Sequence, residues 1–252
     1  MEQGRCSTPS LRRHQGPLGH PRLEGRPWPS PHLQGVKVLG TPLGHPAFVS
    51  AHLRSVSDDH RVFLHRIPAI PDLQAAWLLL SQCANPRANY LLRALPPAVT
   101  AEYAAAHDDA LWECLCTLLD LDPTDPLPDL SYAQQVAQLP LRLGGLGLRS
   151  ATRLAPAAHW ASWADVLPMV GQRHPAVAAE ITRRLSVPDQ EGSPLLQQVA
   201  SCADVLSAEG FTFLPSWDDI LGGARPPPFD PQEPPEPGSD VTAARFIGFL
   251  QG

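Results

Sequence analysis

Between residues 35 and 223, apolar residues recur every three or four positions, the spacing that gives a helix one apolar stripe. From Pro46 the series Val49, Leu53, Val56, His60, Phe63 and Ile67 keeps this period, and Pro68 and Pro71 then end it. "PDLQAAWLLLSQCA" predicts a second helix with Pro71 or Asp72 at its start, where a missing N–H is harmless, and with Leu73, Trp77 and Leu80 on one side. Asn85-Pro86 breaks the chain, and a short turn, "RANYLLRAL", follows. Thr100 is the expected cap of "AEYAAAHDDALWECLCTLL", whose stripe is Tyr103, Ala106, Ala110, Cys114 and Leu118. After a loop, "DLDPTDPLPD", Ser131 starts the short helix "YAQQVAQL", and Ser150 precedes a helix that Pro156 should kink or restart. Residues 175–185 and 194–208 complete the series, the last with Ser193 as N-cap and Gly210 as its stop. Only "GVKVLG", residues 35–40, carries strand signal. The expected fold is mainly α, a helical bundle with one short strand or hairpin near the start.

Composition limits how much of the chain joins that bundle. Thirty of the 252 residues are proline, more than twice the usual share of about 5%. They crowd into "GPLGHPRLEGRPWPSPH" and "ARPPPFDPQEPPEPG", which read as extended, unburied chain. Residues 1–34 are therefore expected to be a disordered basic segment, 35–223 a helical domain, and 224–252 an acidic Pro-rich tail with a short terminal helix. Charge follows the same division. The net value of -6 hides a basic head and a strongly acidic end beyond residue 185, and of the nineteen Lys and Arg residues only Lys37 is lysine. Five unpaired-looking cysteines and the lack of a hydrophobic N-terminal signal point to reduced thiols inside a cell, nucleus or cytoplasm undecided. No apolar run approaches the length of a membrane span.

Most candidate chemistry is better explained by structure. The pairs Asp58-Asp59, Asp108-Asp109 and Asp218-Asp219 fall within or at the start of helices, where neighbours point about 100° apart and do not share an ion. Solvation, or charge complementing a helix N-terminus, accounts for them. His45, His52, His60 and His65 are strung along one helix rather than converging on a tetrahedral metal site, and Cys114 and Cys116 face opposite sides of theirs. No G-x-S-x-G elbow is present. The block "LPLRLGGLGLRSA", residues 139–151, has the glycines of a phosphate loop but neither its lysine nor a preceding strand. It does lie in a stretch, residues 130–164, that holds Arg142, Arg149 and Arg153 and no acid, which suits contact with nucleic-acid phosphates.

Taken in order, "GVKVLGTPLGHPAFV", "IPDLQAAWLLLSQCANPRANYLLRALPP", "AHDDALWECLCTLL" and "LPLRLGGLGLRSA" followed by "AAHWASWADVLP" resemble the region downstream of the polymerase palm in reverse transcriptases of non-LTR (LINE-type) retroelements. The resemblance covers about residues 35–223. It implies that "VLGTPLG" belongs to the end of the palm and that the following helices form a thumb-like bundle against a template-primer. Arg87, Arg93, Arg142, Arg149, Arg153 and Lys37 are then the candidate nucleic-acid contacts, and the partner is RNA or an RNA-DNA duplex. The polymerase centre of that family needs a Tyr-x-Asp-Asp turn and an upstream aspartate. Residues 1–34 contain no aspartate, so no catalytic residue and no cofactor is expected, magnesium belonging to the missing palm. The reading is a retroelement-derived fragment that does not polymerise DNA by itself and binds nucleic acid weakly. The alternatives are a helical interaction module that meets a protein through the first-helix face around Phe48, Val49 and Trp77, or a remnant without selected function.

Overall fold

Residues 35–38 and 41–44 form an antiparallel hairpin, strand β1 (Gly35–Val38) pairing with β2 (Thr41–Gly44) in the register Val38 opposite Thr41. The two-residue turn, Leu39 and Gly40, has positive φ at both positions, as tight hairpins require. The hydroxyl of Tyr90 donates to the carbonyl of Leu39 and lies 2.9 Å from Thr41 Oγ1, tying the hairpin to the helices. The structure, a computed structural model, describes residues 33–121, 130–187, 193–211 and 214–224, together with Ser30. Apart from Ser30, Leu33, Gln34 and Ala224, the termini expected to be disordered lie outside the described residues.

Nine α-helices follow among the described residues: α1 (Pro46–Arg66), α2 (Leu73–Leu78), α3 (Asn89–Ala94), α4 (Pro97–Leu118), α5 (Leu130–Gln138), α6 (Ala151–Arg173), α7 (Pro175–Ser186), α8 (Pro194–Ala208) and α9 (Trp217–Leu221). The fold is mainly helical, as the periodicity requires. His45 caps α1, its Nδ1 accepting from the Ala47 amide at 3.2 Å. Asp72 caps α2 through the amides of Gln74 and Ala75.

Four local expectations are corrected. Thr100 is not the cap of α4: the helix begins at Pro97, whose missing N–H suits the first turn, and Thr100 is fully buried with its Oγ1 directed at the carbonyls of Pro96 and Pro97. Asn85-Pro86 does not break the chain. A π-helical turn, Leu79–Ala84, passes into a 3-10 turn, Asn85–Ala88, so the path from α2 to α3 stays helical. Pro86 has no N–H to give the preceding turn, and widening that turn by one residue accommodates the ring. Leu73 is exposed, and the buried face of this segment is Ala76, Leu80 and Ala84. Finally, α6 is not restarted at Pro156: it continues as one helix past both Pro156 and Pro168.

Helix α6 is the spine. Its first half, with Ala151, Leu154, Ala155 and Ala158, packs against α1, α3 and α4 around Val49, Leu53, Leu92 and Tyr103. Its second half carries Ala157, Trp160, Ala161, Ala164 and Leu167 into a separate core closed by α7, α8 and α9. Trp160 lies 5.6 Å from Trp217 between ring centres. Six alanines on one helix let neighbours approach from several sides at once. A third core joins Leu64 and Ile67 to Leu80, Leu111, Ala137 and Leu148. Helix α4 faces both this core, through Cys114, and that around Tyr103, and Cys116, about 200° from Cys114, is buried as well. Val49 is buried and Phe48 and Trp77 are half-buried against these cores. Among the described residues the chain's own helices cover much of the first-helix face.

Candidate nucleic-acid interface

The glycine block is a joint between three parts of the chain. It leaves α5 through Pro140 and a single 3-10 turn, Leu141–Leu143. Gly144 and Gly147 have φ of 81° and 70°, a region side chains disfavour, and a Cβ on Gly145 would strike the backbone of Leu139. The amides along the block find their acceptors inside the protein. Gly144 donates to Leu141, Gly145 to Pro140, Leu146 and Leu148 both to Ala137, and Gly147 to Leu139, at 2.8–3.2 Å. Arg149 N donates to the side-chain oxygen of Asn85 at 3.0 Å. These amides are not a phosphate cradle, because a cradle needs N–H groups directed at the ligand.

The N-terminus of α6 is committed in the same way. A helix start exposes unpaired N–H groups and a partial positive charge, which makes it an anion site. Here the anion is Asp108, from the middle of α4. Its carboxylate accepts from Ala151 N at 2.6 Å, Thr152 N at 3.1 Å and the Ser150 hydroxyl at 2.7 Å. Ser150 Oγ in turn accepts from Arg153 N at 3.2 Å. Of the three acidic pairs, this one is therefore structural across helices. Asp218 and Asp219 occupy the first turn of α9, where Asp219 closes a capping box with Ser216.

Asn85 fastens the other side. It is buried, and its amide nitrogen donates to the Gly147 carbonyl at 3.4 Å while its side-chain oxygen receives Arg149 N. Its own carbonyl accepts from His107 Nε2 at 3.2 Å, which leaves Nδ1 as the unprotonated nitrogen of a neutral ring. Burial lowers the His107 pKa. His60 is brought down to about 4, by burial first and then by the neighbouring His107 and Arg87. Tyr103, beside them, is raised to about 12 by burial. The three rings stand 5.7–6.3 Å apart.

The six candidate cations fare differently. Arg87 is exposed at the Asn85 turn, with its guanidinium carbon 4.3 Å from the centre of the Phe63 ring, a favourable cation–π arrangement. Asn85 brings this turn against Arg149, 64 residues away in sequence. Arg149 is half-buried, and burial works against its charged form. Arg142 and Arg153 are exposed on either side of the block. Lys37 is exposed on β1, in the hairpin. Arg93 is set apart: its guanidinium pairs with Asp165 on α6 at 2.8 Å, so its first role is to join α3 to α6. Neither Asn85 nor Asp108 was picked out by sequence pattern. Asn85 reads there only as a chain breaker, and Asp108 only as half of a surface pair.

Among the described residues no group of three His, Cys, Asp or Glu side chains is placed to hold a metal ion, and no helix is long and apolar enough to cross a membrane. Comparison of the chain with protein-family models, with curated proteins and with solved structures finds no match.

Proposed function

We propose that this chain is a thumb-like helical segment of retroelement reverse-transcriptase origin that binds the phosphate backbone of RNA or an RNA-DNA duplex through arginine side chains. The observation that carries the reading is the joint at Asn85, which holds the Arg87 turn against the block containing Arg142, Arg149 and Arg153. No acid occurs between residues 130 and 164, and the nearest one on α4, Asp108, already faces the α6 N-terminus. Contacts of this kind position a duplex without reading its sequence. The chain's own 252 residues contain no Tyr-x-Asp-Asp, so the activity proposed is binding and not polymerisation.

The test is a salt series with a labelled RNA-DNA hybrid. Affinity should fall steeply as salt rises, with a log–log slope of about -0.9 per phosphate neutralised on B-form DNA and about -0.7 on single strands. Changing Arg87, Arg142 and Arg153 together to Ala should make the slope shallower by about 2 to 3. No binding at low salt refutes the proposal.

A protein-interaction role has one observation in its favour. Val36, Val38, Leu39 and Leu43 expose apolar side chains on the hairpin, Leu39 at 91%, away from the first-helix face suggested for a protein partner by sequence.

A further inference from the structure

Helix α7 ends in the sequence Arg183-Arg184-Leu185-Ser186, with Val187 just past it. Adjacent arginines occur twice in the chain, and only here does a serine follow after one intervening residue. Arg183, Arg184, Ser186 and Val187 are all exposed, and at Val187 the backbone has left the helix for an extended path, with φ of -122° and ψ of 99°. Both guanidinium groups turn back to Glu180. Arg183 donates to it through Nε and a terminal nitrogen at 2.9 Å each, and Arg184 through Nε at 2.7 Å. Exposed pairs of this kind are weakly held and readily exchanged for another carboxylate. Of these five residues only Leu185 is buried, in the core that α7 shares with α6, α8 and α9.

We infer that Ser186 is a phosphorylation site for an arginine-directed serine/threonine kinase, reached when the last turn of α7 opens. Two guanidinium groups ahead of a serine suit an enzyme with carboxylates along its substrate groove, since each planar fork pairs with a carboxylate through two hydrogen bonds. Val187 supplies an apolar side chain directly after the acceptor. In the transfer a bond forms between Ser186 Oγ and the γ-phosphorus of ATP, the bond from that phosphorus to the bridging oxygen breaks, ADP leaves, and the hydroxyl proton passes to the kinase's catalytic aspartate. A groove that reads consecutive side chains needs extended chain, whereas a helix points them about 100° apart. The last turn must therefore unwind. Val187 N then leaves the Arg183 carbonyl, 3.1 Å away in the folded chain, and Leu185 leaves its core. Helix ends open more readily than their middles, which separates Ser186 from Ser57: that serine has Arg54 three places before it but lies in the middle of α1.

The experiment incubates the whole chain with ATP and the catalytic subunit of the cyclic-AMP-dependent kinase, an arginine-directed enzyme, and maps the phosphate by mass spectrometry. Phosphate should appear on Ser186, and Ser186→Ala should remove it. Arg183→Gln with Arg184→Gln should slow the reaction at least about tenfold, as loss of charge-assisted hydrogen bonds to the kinase implies. Two further variants test the opening. Leu185→Ala keeps both arginines, the serine and Val187 while removing the side chain that ties the turn to the core, and it should be modified at least about tenfold faster. Glu180→Gln changes an exposed residue and releases both guanidinium groups, which should quicken the reaction about two- to fivefold. Thermal melting establishes which variants are folded, and if Leu185→Ala is not, Glu180→Gln decides. No incorporation, incorporation only at other residues, an unchanged rate in the double arginine variant, or no acceleration in the folded variants of Leu185 and Glu180 overturns the assignment.

Discussion

Replacing Asp108 with alanine tests the central structural claim, that the anion site at the start of α6 is filled from within. The change removes three acceptor contacts, at 2.6, 2.7 and 3.1 Å. A hydrogen bond to a charged group is worth about 1.5–3 kcal/mol, and a carboxylate at a helix N-terminus about 0.3–1 kcal/mol. The three contacts share one carboxylate, Thr152 is exposed, and Ser150 still accepts from Arg153 N. Water therefore recovers part of the loss, and the expected destabilisation is about 3 kcal/mol. For a chain of this size that lowers the melting temperature by about 6–12 °C. Asp108→Asn keeps one acceptor without the charge and should lose about half as much. Both are read by urea and thermal denaturation followed by circular dichroism. A second arm looks at the vacated site: sulfate should stabilise Asp108→Ala more than the unaltered chain, because the freed N–H groups can bind it. A loss below about 0.5 kcal/mol, the range of ordinary surface changes, or equal stabilisation of both proteins by sulfate, refutes the reasoning.

Gly145→Ala should destabilise the joint more than Gly144→Ala. At Gly145 a Cβ strikes the Leu139 backbone, whereas at Gly144 the penalty is that of positive φ alone with open space around it, about 1 kcal/mol; equal losses in urea melts would contradict the close approach. Stability should also fall with acidity in a window set by the histidines. The pKa of His60 drops from its ordinary 6.5 to about 4 in the folded chain, and that of His107 is lowered too. The unfolded chain therefore takes up protons first, and stability is full above pH 6.5 and declines as pH falls toward 4. His60→Leu should flatten that part of the profile, and an unchanged slope between those pH values in thermal melts counts against it.

Periodicity along the chain made the helices legible because each buries one stripe, and Val49 and Leu53 lie buried on α1 with Ile67 buried just past its end. It fails where a segment is buried on several sides or held by a distant group. Helix α6 has no single stripe, so its prolines look like interruptions, yet packing on both halves keeps it continuous through Pro156 and Pro168. Local signals at Asn85-Pro86 mislead for a similar reason. The dipeptide is a turn signal by itself, while the structure uses Asn85 as a buried connector to residues more than 60 positions away. Asp108 is the strongest case. Nothing near it in sequence marks it as a cap, because the helix it caps begins 43 residues later. The candidate arginines were legible as a set, but that Arg93 pairs with Asp165 across 72 residues of sequence is visible only in the fold.

The internal capture of these amides has a consequence for how any nucleic acid is held. A glycine cradle binds phosphate with rigid, preorganised N–H groups, so its affinity depends on loop geometry. Here the block donates to Ala137, Leu139, Pro140 and Asn85, so on the proposed reading a phosphate would be met by guanidinium on flexible stems. Each such contact would order a long side chain in a high-dielectric setting, so the proposed binding should be weak, salt-dependent and tolerant of many sequences. The two kinds of site should separate in one variant. Asp108→Ala frees N–H groups at the start of α6, so it should gain affinity for inorganic sulfate. Its salt slope for an RNA-DNA hybrid should stay that of the unaltered chain, since Arg87, Arg142 and Arg153 are untouched. A steeper slope would mean that the helix terminus, and not the arginines, is the group a phosphate backbone finds first.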